Sequence, residues 1–386
     1  MIRRDPMKRH ILTFSISALI LLTLTGCAKA KKDGSDTELV QEIIASEKTE
    51  TEEISPSPIE RDEPDTKEDS PEVTEAVNAE EADGTEKKQP VNSYKEVWGY
   101  VMTEREHFFK PNMPVTDLCY FAADINSYAE IPTVPNPKVF ADFKGRTHLV
   151  VFCGGRALTH FTIDPDGEPR KRILDTIEGA SKKYDGIHID FENVGLRDAE
   201  NFHLFLIEIR KRIGPGKMLS VALPARTRLL RDEIYEYTKI APLVDRIIIM
   251  AYDEHWSGGK AGPVASMSWC RNVADFCNEN IPREKLVMGL PFYGRAWEDQ
   301  GFDTSWIFKS IERIKGENGV TEIKRTDSVP YFEFDTNVHV TAYYDDAQSL
   351  TARCSMYSEK GIDKVAFWRI GQEDTTFWDD IAIKEN

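Results

Sequence analysis

The 386-residue chain holds only six cysteines. Five fall after residue 92, at Cys119, Cys153, Cys270, Cys277 and Cys354. An odd number with no Cys-x-x-Cys pair argues against a disulfide framework and against a zinc site, so these read as buried thiols. A basic excess is also missing. Lys and Arg number 49 against 66 Asp and Glu, a formal net charge of −17, and nucleic-acid binding is not suggested by that balance. No internal repeat is present. Residues 31–90 contain no Phe, Trp or Tyr; they carry 7 Lys and Arg against 20 Asp and Glu, together with Pro56, Pro58, Pro64 and Pro71. So little apolar surface cannot offset the entropy of ordering such a segment, which is expected to be disordered. It reads as a solvated acidic spacer with a root-mean-square reach of about 40–45 Å, not as a dock for a basic partner.

The chain also lacks an apolar run long enough to cross a bilayer comfortably. The stretch from Ile11 to Leu24 has the length of a signal-peptide core and follows Arg3, Arg4, Lys8 and Arg9. It ends in Leu24-Thr25-Gly26-Cys27, which resembles the lipobox of bacterial lipoproteins. That resemblance implies lipidation of Cys27, with the folded part lipid-anchored to a membrane in the bacterial cell envelope, outside the cytoplasm. The alternative is an ordinary N-terminal anchor helix. Met7 would serve equally well as a translation start. The expected organisation is a signal peptide over 1–27, an acidic linker over 28–92 and one globular block over 93–386.

In that block short β-rich runs alternate with helical stretches, as in a parallel sheet with helical crossovers. The runs are Val97–Met102, Leu118–Ala123, Thr147–Cys153, Gly186–Phe191, Met218–Leu223, Arg246–Ala251, Leu286–Leu290 and Lys364–Trp368. Eight would close an α/β fold of the (β/α)8 TIM-barrel type. Helices are expected over Arg170–Lys183, Ala199–Ile213, Met267–Glu279 and Ala347–Lys360. In the second of these, Phe202, Phe205, Leu206, Ile209 and Ile213 share one face. Residues 298–345 are too long for a crossover; Pro330–Asp335 and Val338–Tyr344 read as two strands of a small α+β insertion between strands 7 and 8.

The fourth run carries the chemistry: Tyr184-Asp185-Gly186-Ile187-His188-Ile189-Asp190-Phe191-Glu192. Alternation along a strand sends His188, Asp190 and Glu192 to one side. Polar groups facing into a barrel are costly unless paired or used, and barrel active sites lie at the carboxyl ends of strands. Two carboxyls so placed suit glycosidic bond cleavage, one to protonate the leaving oxygen and one to stabilise charge at the anomeric carbon.

This segment resembles the DxxDxDxE signature of glycoside hydrolase family 18, with Asp185, Asp190 and Glu192 on three of its four acidic positions. Met250-Ala251-Tyr252-Asp253 resembles the family's MxYD motif, Gly289–Arg295 its seventh-strand segment and Ala366–Arg369 its eighth-strand end. The resemblance implies substrate-assisted catalysis without an enzyme nucleophile. Glu192 would be the acid and later the base, Asp190 would orient the 2-acetamido group, and Tyr252 would bond its oxygen. Asp253 would bind the sugar and Trp368 would floor it. Asp185, His188, Tyr293 and Arg295 are further candidates at the site, with Trp256 and Trp297 as sugar platforms. No metal or cofactor is implied. The implied partner is an N-acetylglucosamine polysaccharide, and the expected state is a monomer. The Tyr252–His255 YDEH sequence and the Asp190-Phe191-Glu192 ending most resemble the spore-cortex-lytic and peptidoglycan glucosaminidase branch, so peptidoglycan is favoured, then chitin. Two departures stand out. His188 replaces the second acidic residue, where it could bond Asp190 and alter the activity profile through its protonation near neutral pH, or satisfy that buried Asp with no proton-transfer role, and Phe152-Cys153-Gly154-Gly155 stands for SxGG. A catalytically weak or inactive glycan-binding lipoprotein is the alternative, against which the retained Glu192 speaks; a scaffold using only the barrel exterior is a third reading.

Overall fold

The computed structural model describes residues 91–299 and 303–385. The expected signal peptide, Cys27 and the expected linker as far as residue 90 lie outside the described residues. Strand β1 (Asn92–Tyr94) is the first described element and starts on the last residue of the expected linker. Seven strands follow in crossover order: β2 (Glu96–Met102), β3 (Asp117–Asp124), β4 (Arg146–Cys153), β5 (Gly186–Phe191), β6 (Met218–Pro224), β7 (Arg246–Met250) and β8 (Leu286–Pro291). An antiparallel group comes next: β9 (Tyr293–Glu298), β10 (Asp303–Ile307), β11 (Lys324–Thr326), β12 (Val329–Asp335) and β13 (His339–Tyr343). The chain ends with β14 (Lys364–Trp368) and β15 (Ile381–Ile383).

Strands β14-β2-β3-β4-β5-β6-β7-β8 form a closed barrel, all parallel, with β14 pairing β2 at Val365–Val97 and β8 at Ala366–Gly289. All eight expected runs are barrel strands. A parallel strand is covered on both faces, which is why β5 and β8 are buried along their whole length; β8 reads as a nearly unbroken apolar run, while β5 alternates apolar residues with His188 and Asp190. Side chains facing in, among them Trp98, Tyr100, Cys119, Phe121, Val150, Ile248, Val287 and Ala366, fill the barrel. Those facing out pack on the helices, where the Ala199–Ile213 stripe is buried as its spacing predicts. All five described cysteines are buried thiols.

Two features differ from the sequence reading. Helix Arg156–Ile163 was not expected, because its buried face is two threonines and one isoleucine. Thr159 and Thr162 are tolerated there since their hydroxyls donate back to Gly155 O (2.9 Å) and Leu158 O (2.8 Å). The insertion also starts earlier than residue 298. It is a five-stranded sheet, β10-β9-β13-β12-β11, with helix Phe308–Glu317 and a small core of Ala296, Ile311, Phe332, Ala342 and Tyr344. Tyr293 and Arg295 therefore belong to its second-ranked strand β9, not to the barrel. Among the described residues no helix is long and apolar enough to cross a membrane.

The amino end of the barrel is closed by ions placed on the first residue of five strands: Glu96, Asp117, Arg146, Arg246 and Lys364. Asp117 accepts from Arg146 Nε (2.6 Å) and pairs with His148 Nε2 (2.8 Å), while Glu96 accepts from Arg246 Nε (2.8 Å) and Trp98 Nε1 (3.0 Å). The β1–β15 pair lies at this same end, tied on by Lys95 N donating to Asp363 O (2.8 Å).

A second buried ion pair fixes the loop after β7. Arg353, 1% exposed, bonds Asp345 and donates to Ala265 O (2.8 Å); Ser349 Oγ also donates to Asp345 (2.6 Å). Asp345→Ala would strand a buried guanidinium, and urea denaturation should show a loss of about 3–5 kcal/mol. The double replacement Asp345→Leu with Arg353→Met should recover most of it.

Candidate active site

Strand β5 fixes the order of polar groups along the barrel axis. His188 is fully buried one step below Asp190, and residues two apart on a strand are separated by about 6.5 Å. Tyr100 on β2 and Ser220 on β6 flank it: the Tyr100 hydroxyl lies 2.9 Å from Nε2 and the Ser220 hydroxyl 2.8 Å from Nδ1. Both ring nitrogens are thus used. Burial, aided by His148, holds the His188 pKa down to about 3, so the ring is neutral. The expected bond from His188 to Asp190 is replaced by these two hydroxyls, and His188 lies too deep to meet a sugar; its place among the substrate-binding residues is corrected.

Asp190 is 5% exposed and its Oδ1 accepts no hydrogen bond. Burial, then the neighbouring Glu192, raises its pKa well above the carboxylate range. Glu192 follows the strand with its surface open to solvent, yet its carboxyl lies against enough protein to raise its pKa by desolvation, with Asp253 adding to the rise. Tyr252, at the end of β7, is half-buried. Its phenol is pushed up by burial and then by Asp190, Asp253 and Glu192, which places all four groups in one cluster. Gly289 on β8 lets Tyr252 sit close, for a Cβ there would lie 3.3 Å from the ring and 2.6 Å from Ile249 O.

Asp253 takes the left-handed conformation (φ 58°), one that Asp tolerates better than most residues. Its Oδ1 accepts from Tyr293 Oη (2.6 Å) and Arg295 Nη2 (2.9 Å), and Arg295 Nη1 donates to Ser257 Oγ (3.1 Å). The insertion strand β9 thereby braces the loop after β7. Trp368 ends β14 half-buried, edge-on to Tyr100 (5.2 Å) and Phe121 (4.9 Å). Trp256, beside Ser257, is 37% exposed.

Two more expectations need correction. Asp185 precedes β5 and sits at the amino end, where it accepts from Thr147 N (2.8 Å) and Oγ1 (3.1 Å) and lines a cavity of about 600 Å³ with Lys95, Arg146 and Lys364. Seven residues of strand, about 23 Å at 3.3 Å each, separate it from Glu192, so it cannot share the site. Trp297 offers no open platform: it is 8% exposed and packs edge-on to Tyr343 (6.3 Å), leaving only its indole N–H unpartnered. Tyr100 and Ser220 were missed, though their place in the inward alternation of β2 and β6 was legible. Tyr235, whose hydroxyl contacts the backbone beside Glu192, stands in an aperiodic loop that gives no such hint.

A closed parallel barrel with an Asp-x-Glu strand end, a tyrosine and an aspartate from the next-but-one strand makes a specific pattern. The profile of the glycosyl hydrolases family 18 matches residues 149–373, more than half of the chain. The chain belongs to this family. Its relatives include the cortical fragment-lytic enzyme of Bacillus anthracis, 26% identical over 220 residues, which cover 53% of this chain and 51% of that protein. Chitinase A1 of Niallia circulans is 26% identical over 243 residues, covering 48% of this chain and 34% of that one. The chain thus spans about half the length, or less, of these two curated relatives. The crystal structure of the Bacillus cereus spore cortex-lytic enzyme SleL superposes with a TM-score of 0.67 at 22% identity, covering 76% of each chain, and shares the fold.

A His whose folded pKa is depressed binds its proton more weakly in the native state, so its contribution to stability is complete above the unfolded pKa near 6.5 and declines as pH falls toward 3. His188 should therefore show no NMR titration between pH 5 and 8. The stability difference between this family 18 protein and its His188→Asn variant should fall by up to about 1.4 kcal/mol per pH unit below roughly pH 6.

Proposed function

We propose that the chain hydrolyses β-linked N-acetylglucosamine polymers, with peptidoglycan the favoured substrate and chitin-type oligomers next, by substrate-assisted retaining catalysis. The observation that carries this reading is the buried, unpartnered Oδ1 of Asp190 two residues before the raised-pKa carboxyl of Glu192. A carboxyl kept protonated can deliver its proton to a glycosidic oxygen, and a buried acceptor without a donor suits an amide N–H brought by the substrate.

In the proposed sequence Glu192 gives its proton to the bridging oxygen as the bond to the anomeric carbon breaks. The acetamido carbonyl oxygen attacks that carbon from the other face, forming an oxazolinium ion. Asp190 accepts the acetamido N–H through its unpartnered Oδ1, and the Tyr252 hydroxyl donates to the acetamido oxygen. Glu192, now a carboxylate, takes a proton from the water that opens the ring, which restores the configuration. Trp368 supplies an apolar face beneath the reacting sugar, while Asp253, held by Tyr293 and Arg295, binds its hydroxyls. Trp256 borders this region. The name of the Bacillus anthracis relative supports wall-type glycans, the (GlcNAc)3 complex of a Cycas revoluta chitinase of the same fold supports chitin oligomers, and an envelope lipoprotein anchored through Cys27 would meet peptidoglycan first.

The deciding experiment is product release from purified peptidoglycan and from chitin oligomers, with reducing-end analysis. Glu192→Gln should lower the rate by about 10²–10⁴-fold while oligosaccharide binding persists; full activity in that variant removes the assignment. Binding without release in the native protein would favour the glycan-binding reading instead. Since the acid works only while protonated, the rate should fall as pH rises through the elevated Glu192 pKa. Asp253→Asn removes a charge that elevates it and should move this alkaline limb to lower pH.

A further inference from the structure

The turn that carries Glu192 is held from both sides. On the β4 side, Glu192 N donates to Cys153 O (3.3 Å) and Asn193 Nδ2 donates to Gly154 O (2.6 Å). On the β6 side, the side-chain hydrogen bonds to this turn among the described residues come from Tyr235. The Tyr235 hydroxyl donates to Phe191 O (2.7 Å) and accepts from Val194 N (3.1 Å), so its two bonds bracket Glu192 and Asn193. Tyr235 is 5% exposed and its ring packs edge-on to Phe202, 5.9 Å away. The base of its own loop is locked as well. Arg226, just after β6, makes a two-point pair with Glu233 (2.7 and 3.2 Å), and Glu233 Oε1 accepts from Tyr235 N (3.0 Å).

The consequence concerns direction. Glu192 stands past the last ladder pair of β5, where the barrel no longer dictates its backbone; β5 pairs with β6 only as far as Ile189–Val221. Beyond that point the hydroxyl of Tyr235 supplies the hydrogen bonds that tie the turn to the β6 side. A strand end anchored on one edge alone can swing, and small displacements of a reacting group are expensive in rate. We propose that Tyr235 is a positioning residue for Glu192: by bracketing the turn it fixes the carboxyl's aim and its degree of burial, without touching substrate. This rests on the reading of Glu192 as the proton donor.

Tyr237 provides a matched control. It lies in the same segment, is equally buried, and donates its hydroxyl to Pro224 O (2.6 Å), away from the turn. The test compares the full chain with its Tyr235→Phe and Tyr237→Phe variants on N-acetylglucosamine oligomers, with thermal stability followed in parallel. Tyr235→Phe should lower kcat by about 10–100-fold with KM little changed, shift the alkaline limb of the pH profile, and speed amide exchange at Asn193 and Val194. Tyr237→Phe should lose comparable thermal stability and keep kcat and the pH profile. Equal kcat, equal pH profiles and equal exchange in the two variants would overturn the proposal. Should no oligomer be cleaved even by the native chain, the reading of Glu192 falls separately. The NMR titration of Glu192 in the two variants then decides: a shift confined to Tyr235→Phe supports the bracket, and identical titrations overturn it.

Discussion

Carboxyl groups occupy both poles of this barrel, and those at the amino end are answered by cations while Asp190 and Glu192 at the other are not. At the amino end burial alone would raise Asp117 and Glu96, but bonds from His148 and Arg146 to the first, and from Arg246 to the second, outweigh it and hold both below their ordinary values. At the carboxyl end Asp190 and Glu192 are raised, because burial there is joined by like charge instead of being answered by a guanidinium. Arg295, at this end, is bound to Asp253. One fold thus keeps carboxylates ionised where they hold the structure together and poorly ionised where chemistry is proposed. Uncompensated acids cost stability, and the ionic closure opposite, with the packed interior between, lets the barrel tolerate them.

His188 fits the same arrangement. In the family signature it stands where an acid is usual, and a third carboxyl below Asp190 would add a charge or a shared proton to the column. A neutral ring bonded to Tyr100 and Ser220 adds neither. Asp190 is left with Glu192 as the group coupled to its protonation, which makes the pair above His188 electrostatically simpler than a stack of three acids.

Much of this was legible in the chain. Eight apolar runs gave eight barrel strands because parallel strands buried on both faces need unbroken apolar sequence. Alternation along β5 was enough to aim His188 and Asp190 inward. What failed did so for physical reasons. Asp185 was grouped with Glu192 by its place in a motif, although strand rise alone separates the two by roughly 23 Å. The threonine face of Arg156–Ile163 hid a helix, since hydroxyls that bond their own backbone behave as apolar packing. Strand β9 was not foreseen, because the insertion was placed from residue 298 onward; the partner strand that decides the matter, β13, lies more than forty residues on. Contacts between a side chain and a distant backbone, as at Tyr235, leave no periodic trace at all.

The pairing of β1 with β15 gives the molecule a heading. The described chain enters and leaves beside the ionic closure, while Glu192, Tyr252 and Trp368 ring the other mouth. A load borne by β1 or β15 therefore meets the barrel at the pole opposite Glu192, so that strain at the chain's described ends is taken up by the ionic closure and not by the mouth that carries the acids.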